Sequence, residues 1–244
     1  MATALAEAIP PANIAAVIRR QLQQDVRRQL AKIRSADACP VVVRSNDPAS
    51  AILAEAEEAD STLIVIGRAR HPLVRRILRD DVAFHVASRS VVPVLAVPER
   101  VKSVGNRVVA AVDFTPASLA AARIAARLTR RGGQLTLLHL GPFLDDEPES
   151  TSTNIHRMGV TGRLAKLRRE LRPLTSARIE TLVTGGNVAD TVLAISTRKR
   201  ADLVAIGLQD RSAVDRLILG TSVTRILRHA RAAVLLARAP TSAP

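Results

Sequence analysis

Tryptophan and tyrosine are missing from these 244 residues, and three phenylalanines bring the aromatic content to only 1%. That scarcity excludes the stacking platforms on which single-strand nucleic-acid binders lay their bases. Cys39 is the only cysteine, which excludes an intramolecular disulfide and a cysteine-cluster metal site. It reads as a small hydrophobe at the mouth of a strand. Lysine is scarce as well (Lys32, Lys102, Lys166 and Lys199), so the formal net charge of +14 is carried by arginine. No apolar run approaches the ~18 residues that a membrane span needs. The opening Met1 to Pro11 has no basic residue ahead of its apolar stretch and lacks the form of a secretory signal. A cytoplasmic protein without a membrane partner is the expectation.

What is present is a duplicated pattern in a chain that is 47% hydrophobic and has room for two small domains. Laying 41–98 over 181–238 without a gap matches Val43 to Val183, Ala49 to Ala189, and Leu53-Ala54 to Leu193-Ala194. The same register matches Leu63 to Leu203, Ile66-Gly67 to Ile206-Gly207, Val74 to Val214, Arg76 to Arg216, and Val94-Leu95 to Val234-Leu235. Upstream the register shifts, yet Gln29 to Arg34 still echoes Arg163 to Arg168. This is a tandem duplication. Each half keeps the order helix, strand, helix, strand, helix, strand.

In the second half, Arg107 to Asp113 is a continuous apolar run ending in an acid, as suits a strand buried on both faces. Phe114-Thr-Pro-Ala-Ser118 turns into an alanine-rich helix, Leu119 to Arg130, with Ala121, Ile124, Ala125 and Leu128 on one face. Gly132-Gly133 ends that helix, Gln134 to Leu140 is the next buried strand, and Gly141 to Asn154 is a polar linker. A helix to Arg172, a strand from Ile179 to Thr184, a Gly185-Gly186-Asn187 turn and a helix from Val188 to Lys199 follow. The strand Asp202 to Ile206, the helix Thr221 to His229 and the strand Ala233 to Ala237 complete the half. Strand alternating with helix specifies an α/β fold, an open parallel sheet with helices on both faces. Ligands in such a sheet sit at the carboxyl ends of the strands, where Asp113, Gly185, Gly207 and Gly220 fall. The small-residue turn Gly220-Thr221-Ser222 opens a helix, and amides at such a place can receive phosphate.

The remaining polar residues assign no chemistry. Arg157 to Arg172, the densest basic segment, sets Val160, Leu164, Leu167 and Leu171 at helical spacing, so its arginines form the solvated face of an amphipathic helix. Nucleic acid is therefore not an expected partner. His71, His85, His139, His156 and His229 show no metal-ligand spacing, and His139 reads as a strand-end packing residue. Asp113 and Ser118 have no companion histidine for a triad. Asp145, Asp146, Glu147 and Glu149 read as a solvated acidic linker, and no metal site or catalytic residue is assigned.

A strand ending Val112-Asp113 with Ser118 nearby, a strand reading Leu137-Leu-His-Leu140, and a glycine turn before a helix form a recognisable series. The strand ending at Gly207, followed by Gly220-Thr221 and a final apolar strand, completes it. The chain resembles the universal stress protein family in tandem form, well over Val104 to Pro240 and partly over Ile14 to Pro98. The resemblance implies a Rossmann-like fold of the adenine nucleotide alpha hydrolase type, with strand order 3-2-1-4-5 and two units forming a pseudo-dimer. It implies that Asp113 faces adenine, that Gly207, Gly220, Thr221 and Ser222 wrap ribose and phosphates, and that main chain near Ala111, Leu140 and Ile206 contributes. The implied ligand is ATP or another adenine nucleotide such as AMP, with Mg2+ carried in on ATP and at most slow ATP hydrolysis.

Two departures from the family pattern bear on that ligand. Where the family motif has a second glycine this chain has Asp210, which adds a Cβ and a negative charge facing phosphate, with Arg211 beside it. In the first half the Gly-Thr pair becomes Asp80-Asp81, and Arg70 matches Asp210. Nothing before Cys39 reads as a strand ending in Val-Asp, so the first two strands of that half are absent, or the chain as given begins downstream of them. Its third strand is then expected beside its fourth, joined by a helix over Ala49 to Ala59.

The organisation expected is a disordered tail over 1–11, a truncated and degenerate domain over 12–98, a linker over 99–105 and a complete domain over 106–240. The final strands, Val92 to Val97 and Ala233 to Ala237, are expected to pair antiparallel as an internal pseudo-dimer, since each is a charge-free edge that needs cover. Three functions follow. One is a stress-response or regulatory protein binding nucleotide in the second domain only. The others are a ligand-free interaction scaffold and a non-specific nucleic-acid binder.

Overall fold

A computed structural model describes residues 11–32, 40–44, 47–68, 82–141, 151–209 and 220–239, with side chains from Ala16 and from Arg157 in the two helices that open such stretches. Cys39, Arg70, His71, Asp80, Asp81, Asp145, Asp146, Glu147, Glu149, Asp210 and Arg211 lie outside the described residues, as does the tail to Pro10.

The chain divides into two compact units, residues 1–51 and 52–244. In the smaller unit, α1 (Pro11–Leu30) is followed by an extended segment at 40–44, and α2 (Pro48–Glu58) begins before the boundary. The Gln23 side-chain amide reaches the Val41 carbonyl at 3.5 Å. Asp47 caps α2, accepting from the Ser50 amide at 2.9 Å.

The larger unit carries a seven-stranded sheet. Its strands are β1 (Ile64–Arg68), β2 (Val94–Pro98), β3 (Arg107–Ala111), β4 (Gln134–Leu140), β5 (Arg178–Thr184), β6 (Leu203–Gly207) and β7 (Ala233–Ala237). They lie in the order β1-β2-β7-β6-β3-β4-β5. Every pairing is parallel except that of β2 with β7, which run antiparallel with Leu95 opposite Leu235. The five strands of the second half therefore keep the order 3-2-1-4-5, and among the described residues only two strands of the first half join them.

Helices α3 (Val82–Arg89), α4 (Pro116–Leu128), α5 (Thr151–Leu171), α6 (Val188–Arg198) and α7 (Thr221–His229) complete the unit. The α4 helix starts cleanly because the Thr115 hydroxyl caps the Ser118 amide and Pro116 has no amide to satisfy. Alanine at 121, 122, 125 and 126 is fully buried on α4, letting the helix lie close to the sheet. Leu135 and Leu137 of β4, Leu164, Leu167 and Leu171 of α5, and Leu203 of β6 belong to the same core.

Two expectations are corrected. The segment 40–44 forms no strand, although the repeat matches it to the end of β5. In the second half β5 has β4 as its partner all along its length, whereas the described residues of the first half contain no such neighbour, and an unpaired strand has no ladder to hold it. The expected polar linker is also shorter than Gly141 to Asn154, because α5 already begins at Thr151.

Candidate functional site

At the carboxyl end of β3 the chain makes a tight, self-bonded turn. Asp113 Oδ1 accepts from the Thr115 amide at 2.9 Å and from the Thr115 hydroxyl at 2.6 Å. That hydroxyl spends its proton on Asp113 and still accepts from the Ser118 amide at 3.2 Å, so one threonine both fixes the acid and caps α4. The Ser118 hydroxyl donates to the Thr115 carbonyl at 3.1 Å and accepts from the Asp113 amide at 3.3 Å. Asp113 Oδ2 accepts from Gln209 Nε2 at 3.4 Å, which links the ends of β3 and β6. Partial burial pushes the Asp113 carboxyl up, but the hydrogen bonds from Thr115, Ser118 and Gln209 together outweigh it and hold the group below the ordinary carboxylate range. It is a fixed anion at neutral pH.

Between Asp113 and Thr115, Phe114 takes a left-handed backbone (φ 65°), uncommon for a side chain of that bulk. Its ring is held on two sides. The His139 ring centroid lies 5.0 Å away and the Arg163 guanidinium sits 3.9 Å above the Phe114 centroid. His139 is buried, and its Nδ1 is 2.7 Å from the Val112 carbonyl, so that nitrogen carries the proton. Through that nitrogen the histidine braces the end of β3.

Gly207 ends β6 directly against the first turn of α4. A Cβ there would stand 2.3 Å from the Ser118 nitrogen and 2.5 Å from the Ala117 carbonyl carbon. Its lack of a side chain is thus required by packing, independently of any ligand. Gly220 is different: among the described residues nothing lies within 4 Å of where its Cβ would be. It stands at the N-cap of α7 with no side-chain cap, so the amides of the first turn, Thr221 and Ser222 among them, have no acceptor from their own cap residue. Such an end favours an anion.

Of the residues named from sequence, Asp113, Gly207 and the ends of β3, β4 and β6 at Ala111, Leu140 and Ile206 lie along one edge of the parallel sheet. Gly185 begins the turn after β5, and Asn187 there caps α6, accepting from the Ala189 and Asp190 amides at 3.1 and 3.3 Å. Sequence reasoning missed Thr115 and Gln209. The spacing Asp113-x-Thr115-Pro116 is a local signal for the first, being an acid-anchored turn running into a helix cap. Gln209 had none, since its partner is distant in sequence. No group of three or more metal-ligating side chains occurs among the described residues.

The universal stress protein family model matches residues 3–98 and again 105–238. The chain belongs to the universal stress protein family. The two matched segments make it a tandem member. A universal stress protein from Archaeoglobus fulgidus is 19% identical over 95% of this chain and 81% of its own, with TM-score 0.64. A protein from Pseudomonas aeruginosa described as a universal stress protein is 16% identical, over 93% of this chain and 78% of its own, with TM-score 0.56. These likenesses concern the fold. A universal stress protein in complex with cAMP is 17% identical over 56% of this chain and 99% of its own; its TM-score of 0.42 is too low to carry ligand chemistry across. No curated protein matches the chain.

Proposed function

We propose that this universal stress protein is a regulatory protein that binds one adenine nucleotide, ATP or AMP, in its second domain only. The observation that carries the reading is the N-terminus of α7 at Gly220, which has no side-chain cap, following the strand whose end meets Asp113 through Gln209. Asp113 would face the base, Gly220, Thr221 and Ser222 the phosphates, and Mg2+ would arrive on ATP. A cytoplasmic location belongs to the same reading. The first domain contributes no site in this reading, because Asp80-Asp81 replaces the Gly-Thr pair and no strand among the described residues supplies the acid.

The truncated domain over 12–98, linked through 99–105 to the complete domain over 106–240, has a structural task in this reading. Its β2 covers the edge of β7, making an internal pseudo-dimer out of one chain.

A ligand-free scaffold is favoured by one feature of the same site. Both Asp113 oxygens already accept hydrogen bonds from the chain, and the space that glycine leaves at 207 is filled by α4. Calorimetry on the nucleotide-stripped full chain with ATP, AMP and cyclic AMP decides between them. One site per chain for an adenine nucleotide supports the proposal, two equivalent sites overturn the restriction to the second domain, and no heat with any of the three establishes the scaffold.

A further inference from the structure

Strand β5 closes one end of the sheet, and among the described residues its outer edge has no partner strand. The Arg178 amide donates to the Gly133 carbonyl and the Thr184 carbonyl accepts from the Gly141 amide, both at 3.0 Å and both on the β4 side. Successive residues of a strand point their amides and carbonyls to opposite sides, so Ile179, Thr181 and Val183 turn theirs to the open edge. An edge of that kind is a template for another strand unless the sequence blunts it. Here the pairing with β4 is continuous from Arg178 to Thr184, with no bulge and no proline, and Thr181 to Thr184 carry no charge.

Beside the first half of this edge runs an open groove of about 640 Å³, lined by Arg168 and Arg172 of α5 together with Ser176, Arg178 and Thr181. All of these residues belong to the larger unit. Arg168 and Arg172 are four residues apart and so lie on one row of the helix, next to the buried Leu164, Leu167 and Leu171. Neither has an ion-pair partner among the described residues. The strand's own acid does not offset them, because Glu180 is already engaged by Lys199 at 3.0 Å, by Arg178 at 3.2 Å and by the Gln134 amide.

Edge and groove set two separate requirements, and one kind of occupant meets both. A series of alternating amides and carbonyls is matched by another extended peptide backbone, whereas a nucleic-acid strand has no such series. Arginines without an acid of their own are matched by carboxylates, which accept from the guanidinium fork. We propose that the β5 edge receives an extended acidic segment of a partner protein, which pairs with Ile179, Thr181 and Val183 and sets its carboxylates against Arg168 and Arg172. The groove lies at the amino end of β5, whereas Asp113 follows the carboxyl end of β3, so this surface is separate from the candidate nucleotide site.

The probe is a short fluorescein-labelled peptide of alternating glutamate and valine, whose anisotropy is followed as the full-length protein is added. The expected result is saturable binding that the matching peptide of lysine and valine does not show. Arg168→Gln combined with Arg172→Gln should weaken it roughly tenfold or more. Methylating every second amide of the peptide, in either register, should weaken it as much, since this blocks backbone pairing and leaves the charge unchanged. Thr181→Pro removes an outward amide without taking a bond from β4, and should also weaken binding while the urea midpoint stays near that of the parent. No binding, equal binding of the lysine peptide, or undiminished binding of both methylated peptides overturns the proposal, the last because the arginines would then hold any anion. So does a dimeric solution mass that Thr181→Pro converts to a monomer, because a second copy would then cover the edge.

Discussion

The amide nitrogen of Ser118 occupies the place where a Cβ on residue 207 would have to point, 2.3 Å from it. The end of β6 and the first turn of α4 can therefore approach only if residue 207 is glycine. Gly67 is its repeat equivalent in the first domain, where among the described residues there is no counterpart of α4 and nothing lies within 4 Å of the Gly67 Cβ position. Gly207→Ala is expected to destabilise the protein by about 1–3 kcal/mol, because backbone rather than a flexible side chain must move. Gly67→Ala should stay within about 0.5 kcal/mol of the parent. Urea midpoints of the two variants test this, and equal losses would remove the packing explanation.

The Asp113 carboxyl sets an acid limit. Its folded-state value lies below the ordinary 3.8, so the stability it contributes is fully present above about pH 4 and is lost as pH falls through the folded value. The difference in urea midpoint between the parent protein and Asp113→Asn should hold steady from pH 7 down to about pH 4 and narrow below it. A difference unchanged at pH 3 would mean that the carboxylate charge contributes nothing.

Asp202, at the start of β6, gathers the linker that leads into β3. Its carboxylate accepts from the amides of Gly105 at 2.8 Å, Asn106 at 2.9 Å and Arg107 at 3.2 Å. Asp202→Ala is expected to cost about 1–3 kcal/mol, water replacing part of what is lost at this half-exposed site. Hydrogen exchange should quicken at the Gly105 and Asn106 amides in particular; protection unchanged there would show that the carboxylate does not hold the linker.

If the charge on Asp210 weakens triphosphate binding, Asp210→Gly should tighten ATP roughly tenfold, equivalent to ~1.4 kcal/mol, and leave adenosine affinity nearly unchanged. Equal gains for both ligands would point to backbone freedom instead of charge.

Removing the first domain should expose β7. Residues 104–244 expressed alone lose β2 and leave Val234 to Leu236 as an apolar edge. Aggregation or a new homodimer in a solution-mass measurement is the expected outcome, and a stable monomer would show that β7 needs no cover.

The complete half was readable because buried parallel strands are continuous apolar runs, and Gln134–Leu140 and Ala233–Ala237 fall where those runs do. Helix starts were read less closely: the Thr115 cap and Pro116 begin α4 ahead of the expected Leu119, and Asn187, expected only as part of a turn, caps α6. Residues 40–44 misled because an apolar segment becomes a strand only beside a partner, and a repeat match preserves the pattern after the partner has gone.

By itself the sequence determined the family, the α/β alternation, the duplication and the acid at Asp113, since each is written in residue type and spacing. Tertiary structure decided what those residues do. It gave Gly207 a packing reason, joined Gln209 to Asp113 across 96 positions, and turned His139 to the Val112 carbonyl. Periodicity records which face of an element is apolar, whereas the neighbour that meets that face is set by long-range pairing, which local spacing does not encode.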